Sequence, residues 1–230
     1  MQVRSGPIQH TTQPIVTGAS VLAVKYNGGI LMMADTLASY GGLARFKDVQ
    51  RIARVNGTTL LGGSGEYSDF QYITNNLLKE LMLEDYVEDD GDNRTAKEIH
   101  SYLARVLYNR RSKMDPLYNQ LIIAGVDGDE SVLGAVDLYG STYTDNILAT
   151  GFGTYLAIPI LRKRWHENMT EAEAKTLLED CMNVLFYRDC RTINRYHLGK
   201  VTKAGVEISE PYSLETKWDY KKFVNPHYQS

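Results

Sequence analysis

Five histidines, two cysteines and several glycine-rich turns are the groups with which this 230-residue chain could do chemistry, and their spacing removes most of the options. Gly62-Gly63-Ser64-Gly65 begins like the turn that presents a nucleophilic serine, but Glu66 stands where its second defining glycine belongs. Gly151-Phe152-Gly153 begins like a dinucleotide loop, but Leu156 replaces the third glycine. His10, His100, His166, His197 and His227 are scattered without metal spacing, and Cys181 and Cys190 make no C-x-x-C pair, so both thiols read as reduced. Asp127-Gly128-Asp129-Glu130 invites a calcium reading but lacks the twelve-residue ligand pattern; a solvated turn is the better account. No phosphate-binding loop occurs, and neither a cofactor nor a metal is expected.

Composition narrows the classes further. Hydrophobic residues make up 43% and charged residues 23%, a balance that supports a folded core. Net charge is −3, so no general excess of positive charge draws the chain to a phosphate backbone, and nucleic acid is not the expected partner. Apolar runs such as Ile30 to Ala34 fall short of the ~20 residues of a membrane helix, and Met1 to Pro7 lacks the apolar segment of an export signal. The expectation is a soluble intracellular chain without a membrane partner.

The elements follow from turns and periodicity. Residues 1–18 read as an extended leader, with the folded body starting near Ala19. Asn27-Gly28-Gly29 separates apolar runs Ser20–Tyr26 and Ile30–Asp35, and Asn56-Gly57 separates Gln50–Val55 from Thr58–Gly63, giving two hairpins. Phe70, Ile73, Leu77, Leu78 and Leu81 predict a helix over Ser68–Glu84, capped by the Ser68 hydroxyl. After an acidic loop from Glu88 to Asp92, Thr95-x-x-Glu98 opens a second helix. Its end, Arg110-Arg111-Ser112-Lys113, reads as cations complementing a helix dipole. Strands at Gln120–Val126 and Val132–Leu138, helices at Thr154–Glu167 and Thr170–Tyr187, and strands at Tyr196–Thr202 and Val206–Ile208 complete the order. Strands, helix pair, strands, helix pair, strands predict one α+β domain of two stacked antiparallel sheets flanked by helices.

A set of segments spread through this body resembles the β subunits of the core proteasome. They are Gly18-Ala19-Ser20-Val21-Leu22-Ala23, Gly29 to Asp35, Gly62-Gly63-Ser64-Gly65 with Asp69, Ala149-Thr150-Gly151-Phe152-Gly153, and Tyr187-Arg188-Asp189. Together they span roughly residues 19 to 203 in the family's order. Details such as Ser39-Tyr40-Gly41, Leu43-Ala44-Arg45-Phe46, Arg110 to Met114 and Lys217-Trp218-Asp219 look most like one non-catalytic subtype, at the seventh β position. The resemblance implies a four-layer αββα sandwich of the N-terminal nucleophile hydrolase type. It also implies a location in cytoplasm and nucleus, and a role in ubiquitin-dependent protein degradation.

Active members of that family attack with the hydroxyl of a threonine exposed by cleavage, its freed amine helping as base. The resemblance puts that nucleophile position at Ala19, whose methyl cannot attack a carbonyl. The family's catalytic lysine falls on Arg51, which stays protonated up to about pH 12 and cannot serve as a base. A supporting serine falls on Phe152. Asp35 and Asp189 match the family's acidic residues, but Thr192-Ile193 replaces the Ser-Gly after the second. Gly65, whose amide serves the oxyanion in active members, is kept; without a nucleophile it catalyses little. Ser20, Thr17, Thr11 and Thr12 are the candidate substitute hydroxyls; Ser20 is one residue off register, pointing to the opposite face of a strand, and Thr11 and Thr12 lie far upstream. The expectation is a degenerate site with a structural Asp35–Arg51 salt bridge. An active threonine peptidase is the alternative that these residues disfavour.

Residues 210–230 form an extension with two prolines and the aromatic residues Tyr212, Trp218, Tyr220, Phe223 and Tyr228. They could fold back on their own domain. The resemblance favours an arm, with Trp218, Tyr220, Phe223 and Tyr228 gripping the facing β ring. It further implies partners among other α and β subunits in stacked seven-membered rings, and a leader (1–18) trimmed before Thr11 by a neighbour. The β-type domain would span 19–209.

Overall fold

The computed structural model describes residues 13–87 and 94–218, with backbone alone over 84–87. The leader up to Thr12, the acidic loop 88–93 and the arm residues Tyr220, Phe223 and Tyr228 lie outside the described residues.

Thirteen strands are described: β1 (Val16–Gly18), β2 (Val21–Tyr26), β3 (Gly29–Asp35), β4 (Ala38–Tyr40), β5 (Leu43–Phe46), β6 (Ile52–Arg54), β7 (Thr59–Glu66), β8 (Asn119–Asp127), β9 (Glu130–Val136), β10 (Thr142–Thr144), β11 (Ile147–Ala149), β12 (Tyr196–Thr202) and β13 (Gly205–Ile208). One sheet runs β10-β9-β8-β7-β1-β4-β5, with β6 also on β7; the other runs β11-β2-β3-β12-β13. All the pairings are antiparallel, as hairpin-linked strands require. The helices are α1 (Tyr67–Tyr72), α2 (Leu78–Val87), α3 (Ala96–Ser112), α4 (Gly153–Leu156), α5 (Ile158–Arg164) and α6 (Glu171–Arg188), with a π-helical segment at Ile73–Leu77.

Strand alternation explains why four layers form. On β2 and β3, Leu22, Val24, Leu31 and Met33 join α6 residues such as Leu178 and Met182 in one core, while Val21, Ala23, Ile30 and Met32 face the other way. There they meet Leu60, Ile122, Ala124 and Leu133 of the larger sheet. The opposite face of that sheet, with Leu61, Leu121 and Ile123, packs on Phe70, Ile99, Leu103 and Leu107 of the first helices. Both faces of each sheet are thus covered, and their central strands read as apolar runs. Among the described residues, no helix is long and apolar enough to cross a membrane.

Several elements depart from the pattern reading. The sheet begins at Val16, three residues ahead of Ala19, and β4, β5, β10 and β11 are strands of three or four residues without an alternating signal. The helix expected over Ser68–Glu84 is α1, the π segment and α2 in succession, and at the start of the π segment the Thr74 hydroxyl donates to the Phe70 carbonyl (2.9 Å). Its cap is Glu66, whose carboxylate accepts from the Ser68 amide and hydroxyl; Ser68 donates rather than caps. The helix expected over Thr154–Glu167 divides at Ala157, since Pro159 has no amide to continue the ladder. Both capping boxes form, Thr95 with Glu98 and Thr170 with Glu173.

Ile122 is fully buried between the sheets. Ile122→Ala should lower stability by about 2–5 kcal/mol, against at most about 0.5 kcal/mol for Leu83→Ala on the surface of α2, read as urea unfolding midpoints of the two variants.

Candidate functional site: the cleft at Ala19

The site is built where β1, β3, β6 and β7 converge. Arg51, immediately before β6, is only 1% exposed, and Asp35 at the end of β3 only 2%. A buried guanidinium must find acceptors for its donors, and here each N–H has one. Nε donates to the Asp35 carbonyl (3.1 Å), Nη1 to the carbonyls of Ala19 (2.9 Å) and Gly63 (3.3 Å), and Nη2 to the Ser20 carbonyl (3.1 Å). Nη2 also bonds Oδ1 of Asp35 in the expected salt bridge. The second oxygen of Asp35 accepts the Ile193 amide at 3.1 Å, a backbone contribution that residue types could not reveal. Burial pushes the Asp35 carboxyl up from its ordinary value, while the Arg51 guanidinium and the Ile193 amide pull it back.

The chain upstream of Ala19 is part of this arrangement. Strand β1 lies between β7 and β4, pairing Gly18 with Gly65 and with Ala38, so the β4–β5 hairpin joins the sheet through β1. Gly18 approaches Arg51 so closely that a Cβ there would stand 2.4 Å from its Cδ. Gly65 sits at φ +90°, and its Cβ would lie 2.1 Å from the Tyr118 carbonyl oxygen, so glycine is required at both positions. Buried Glu66 accepts the amides of Ile15 and Val16 (3.0 Å for the latter) on the carboxylate that also caps α1. This anchoring role of Glu66 carried no signal in the sequence, because carboxylates on strands are usually solvated.

The remaining site residues line one cleft of about 310 Å³ with Ala19 and Gly65. Phe152, 58% exposed, stands on its rim and meets Tyr155 edge-on at 6.3 Å. Asp189 lines the cleft but does not join the Asp35–Arg51 pair; its carboxylate accepts the Arg191 amide at 2.9 Å. Ser20, the displaced hydroxyl, is buried and accepts the Gly153 amide at 2.8 Å.

The fold meets the expectation set by the motif order, and comparison decides the family. The sequence model of the family described as Proteasome subunit matches residues 15–201. This chain belongs to the proteasome subunit family. Proteasome subunit beta type-4 of Xenopus laevis is 46% identical over 223 residues, covering 96% of this chain and 92% of that protein. The type-4 subunit of Arabidopsis thaliana is 46% identical over 226 residues (98% and 92%), and that of Dictyostelium discoideum 48% over 213 (92% and 82%). The subtype resemblance read from the sequence accords with these relatives. The proteasome β-type fold accounts for the two helix-flanked antiparallel sheets.

Of the C-terminal segment in this proteasome subunit, residues 209–218 lie along their own domain. Tyr212 bridges to Tyr196 and donates to Glu179 (2.9 Å), Asn194 and Leu214 exchange two hydrogen bonds, and Trp218 meets Phe186 and Tyr187 edge-on at 5.7 and 4.9 Å.

Arg51→Met removes the counter-charge of a buried carboxylate and should cost about 3–5 kcal/mol near neutral pH. Without the guanidinium, Asp35 titrates higher still, so the folded variant holds a proton that the unfolded chain releases above about pH 4. Its deficit against the unsubstituted chain should therefore widen as pH rises from 4 to 7 and narrow on acidification, measured by denaturant midpoints across that range.

Proposed function

We propose that this proteasome β subunit is a non-catalytic, structural member of the core particle. It would support ring assembly and the joining of half-particles, in cytoplasm and nucleus, while its neighbours carry out the proteolysis of ubiquitin-tagged proteins. The observation that supports this reading most is the state of position 19. The residue there has a methyl in place of a hydroxyl, and its carbonyl is held by an arginine that cannot take a proton. The hydroxyl of the next residue, Ser20, is buried and already accepts an amide hydrogen. Partners would be other α and β subunits in stacked seven-membered rings.

The arm reading rests on residue type: Trp218, Tyr220, Phe223 and Tyr228 are of the kind that concentrates binding energy at interfaces. The segment up to Trp218 packs on α6, so a truncation that spares the domain must begin after it.

Two measurements test this. Core particles treated with a peptide epoxyketone, which forms an adduct with an N-terminal threonine's hydroxyl and amine, should show mass shifts on neighbouring subunits and none on this chain; an adduct here would overturn the non-catalytic reading. Deleting residues 219–230 should slow the conversion of half-particles to full particles several-fold in native gels, and conversion at the unsubstituted rate would remove the arm from the account.

A further inference from the structure

A second hollow, of about 710 Å³, lies between β6 on one side and α1, the π segment and α2 on the other. It shares no lining residue with the cleft at Ala19. Its volume falls in the range of about 300–1,000 Å³ in which proteins hold small molecules. The helical wall is the stretch where the ladder runs from the Leu78 amide to the Ile73 carbonyl, five residues back, a geometry met often at binding sites.

Two kinds of side chain line the hollow. Phe70, Leu78 and Met82 on the helical wall, with Val55 opposite, make its apolar part, and Phe70 and Leu78 are buried. Arg54 on β6 and Lys79 on α2 add one exposed cation from each wall. No Asp or Glu lines the hollow. Among the described residues neither cation has a carboxylate partner, and Arg54 donates only its Nε, to the Asn56 carbonyl at 3.1 Å. The Thr74 hydroxyl is already spent on the Phe70 and Gln71 carbonyls, at 2.9 and 3.2 Å, so an anion entering here is met by the two cations.

We infer that this hollow is a binding site for an amphipathic carboxylate, a medium-chain fatty acid, whose chain covers Phe70, Leu78 and Met82 and whose carboxylate is held by Arg54 and Lys79. Both halves of the lining demand a partner. A compact anion such as phosphate would leave the apolar surface in water, and a neutral hydrocarbon would leave two cations without a counter-charge. An acidic peptide suits the cations, but its backbone amides and carbonyls, laid on Phe70, Leu78 and Met82, would lose water without gaining hydrogen bonds. A flexible hydrocarbon chain has no such groups, and the unbranched Met82 side chain adapts to its shape. The site involves neither position 19 nor proteolysis, so it stands apart from the non-catalytic reading.

The test irradiates core particles, purified through a tag on this chain, with a twelve-carbon fatty acid carrying a diazirine on its chain, and maps the adducts by mass spectrometry. Labelling of this chain should saturate, fall in peptides covering residues 50–55 and 67–83, and be displaced by dodecanoate but not by dodecanol. Arg54→Gln and Lys79→Gln together should reduce it about ten-fold, because both charge-assisted contacts are lost while the apolar lining is kept. Labelling that does not saturate or avoids these peptides would overturn the site, as would displacement by dodecanol equal to that by dodecanoate, stronger displacement by an acidic peptide, or undiminished labelling of the doubly substituted chain.

Discussion

A guanidinium buried to 1% exposure constrains everything around it. Taken out of water with a donor unmatched, Arg51 would carry a desolvation penalty of several kcal/mol, so its surroundings must present an acceptor for each N–H. They do so from three places in the chain: Ala19–Ser20, the end of β3 at Asp35 and the strand β7 at Gly63, while the Ile193 amide donates to the second oxygen of Asp35. Four of the five acceptors are backbone carbonyls, and the fifth is the Asp35 carboxylate. The network therefore fixes the path of the main chain, and side chains at those positions contribute little to it.

On the proposed non-catalytic reading, that division lets the scaffold keep its shape without its chemistry. The positions that the family resemblance assigns to catalysis remain gathered around one cleft, with Ala19, Gly65, Phe152 and Asp189 on its wall. These positions present a methyl, a rim aromatic, and a cation that holds carbonyls. The segment before Ala19 is sheet, anchored by Glu66 and linking β4 and β5 to β7. Cutting between Gly18 and Ala19 would release β1 from the strand that Arg51 holds in place.

Much of this was legible in the residues. Asn27-Gly28 and Asn56-Gly57 mark turns because those residues accept positive φ or bond their own backbone, as Asn56 does to the Thr58 amide. Thr95 with Glu98 and Thr170 with Glu173 announce helix starts through reciprocal hydrogen bonds. The π segment was not legible, since Ile73, Leu77, Leu78 and Leu81 keep helical spacing while the backbone between them widens. Strand β5 is exposed throughout and so has no alternation to read. The Asp35–Arg51 pair is separated by 16 positions that carry no periodic signal, and only family resemblance brought the two together. Glu66 and the Ile193 amide act through long-range geometry, to which residue type is blind.

The central claim is that Arg51 holds the chain around position 19 and cannot supply base chemistry to it. The most direct measurement is the intact mass of this chain, carrying Ala19→Thr alone, recovered from assembled core particles. The account predicts that the bond between residues 18 and 19 stays uncut, because a hydroxyl is restored without a proton acceptor. A chain whose mass begins at position 19 would contradict it.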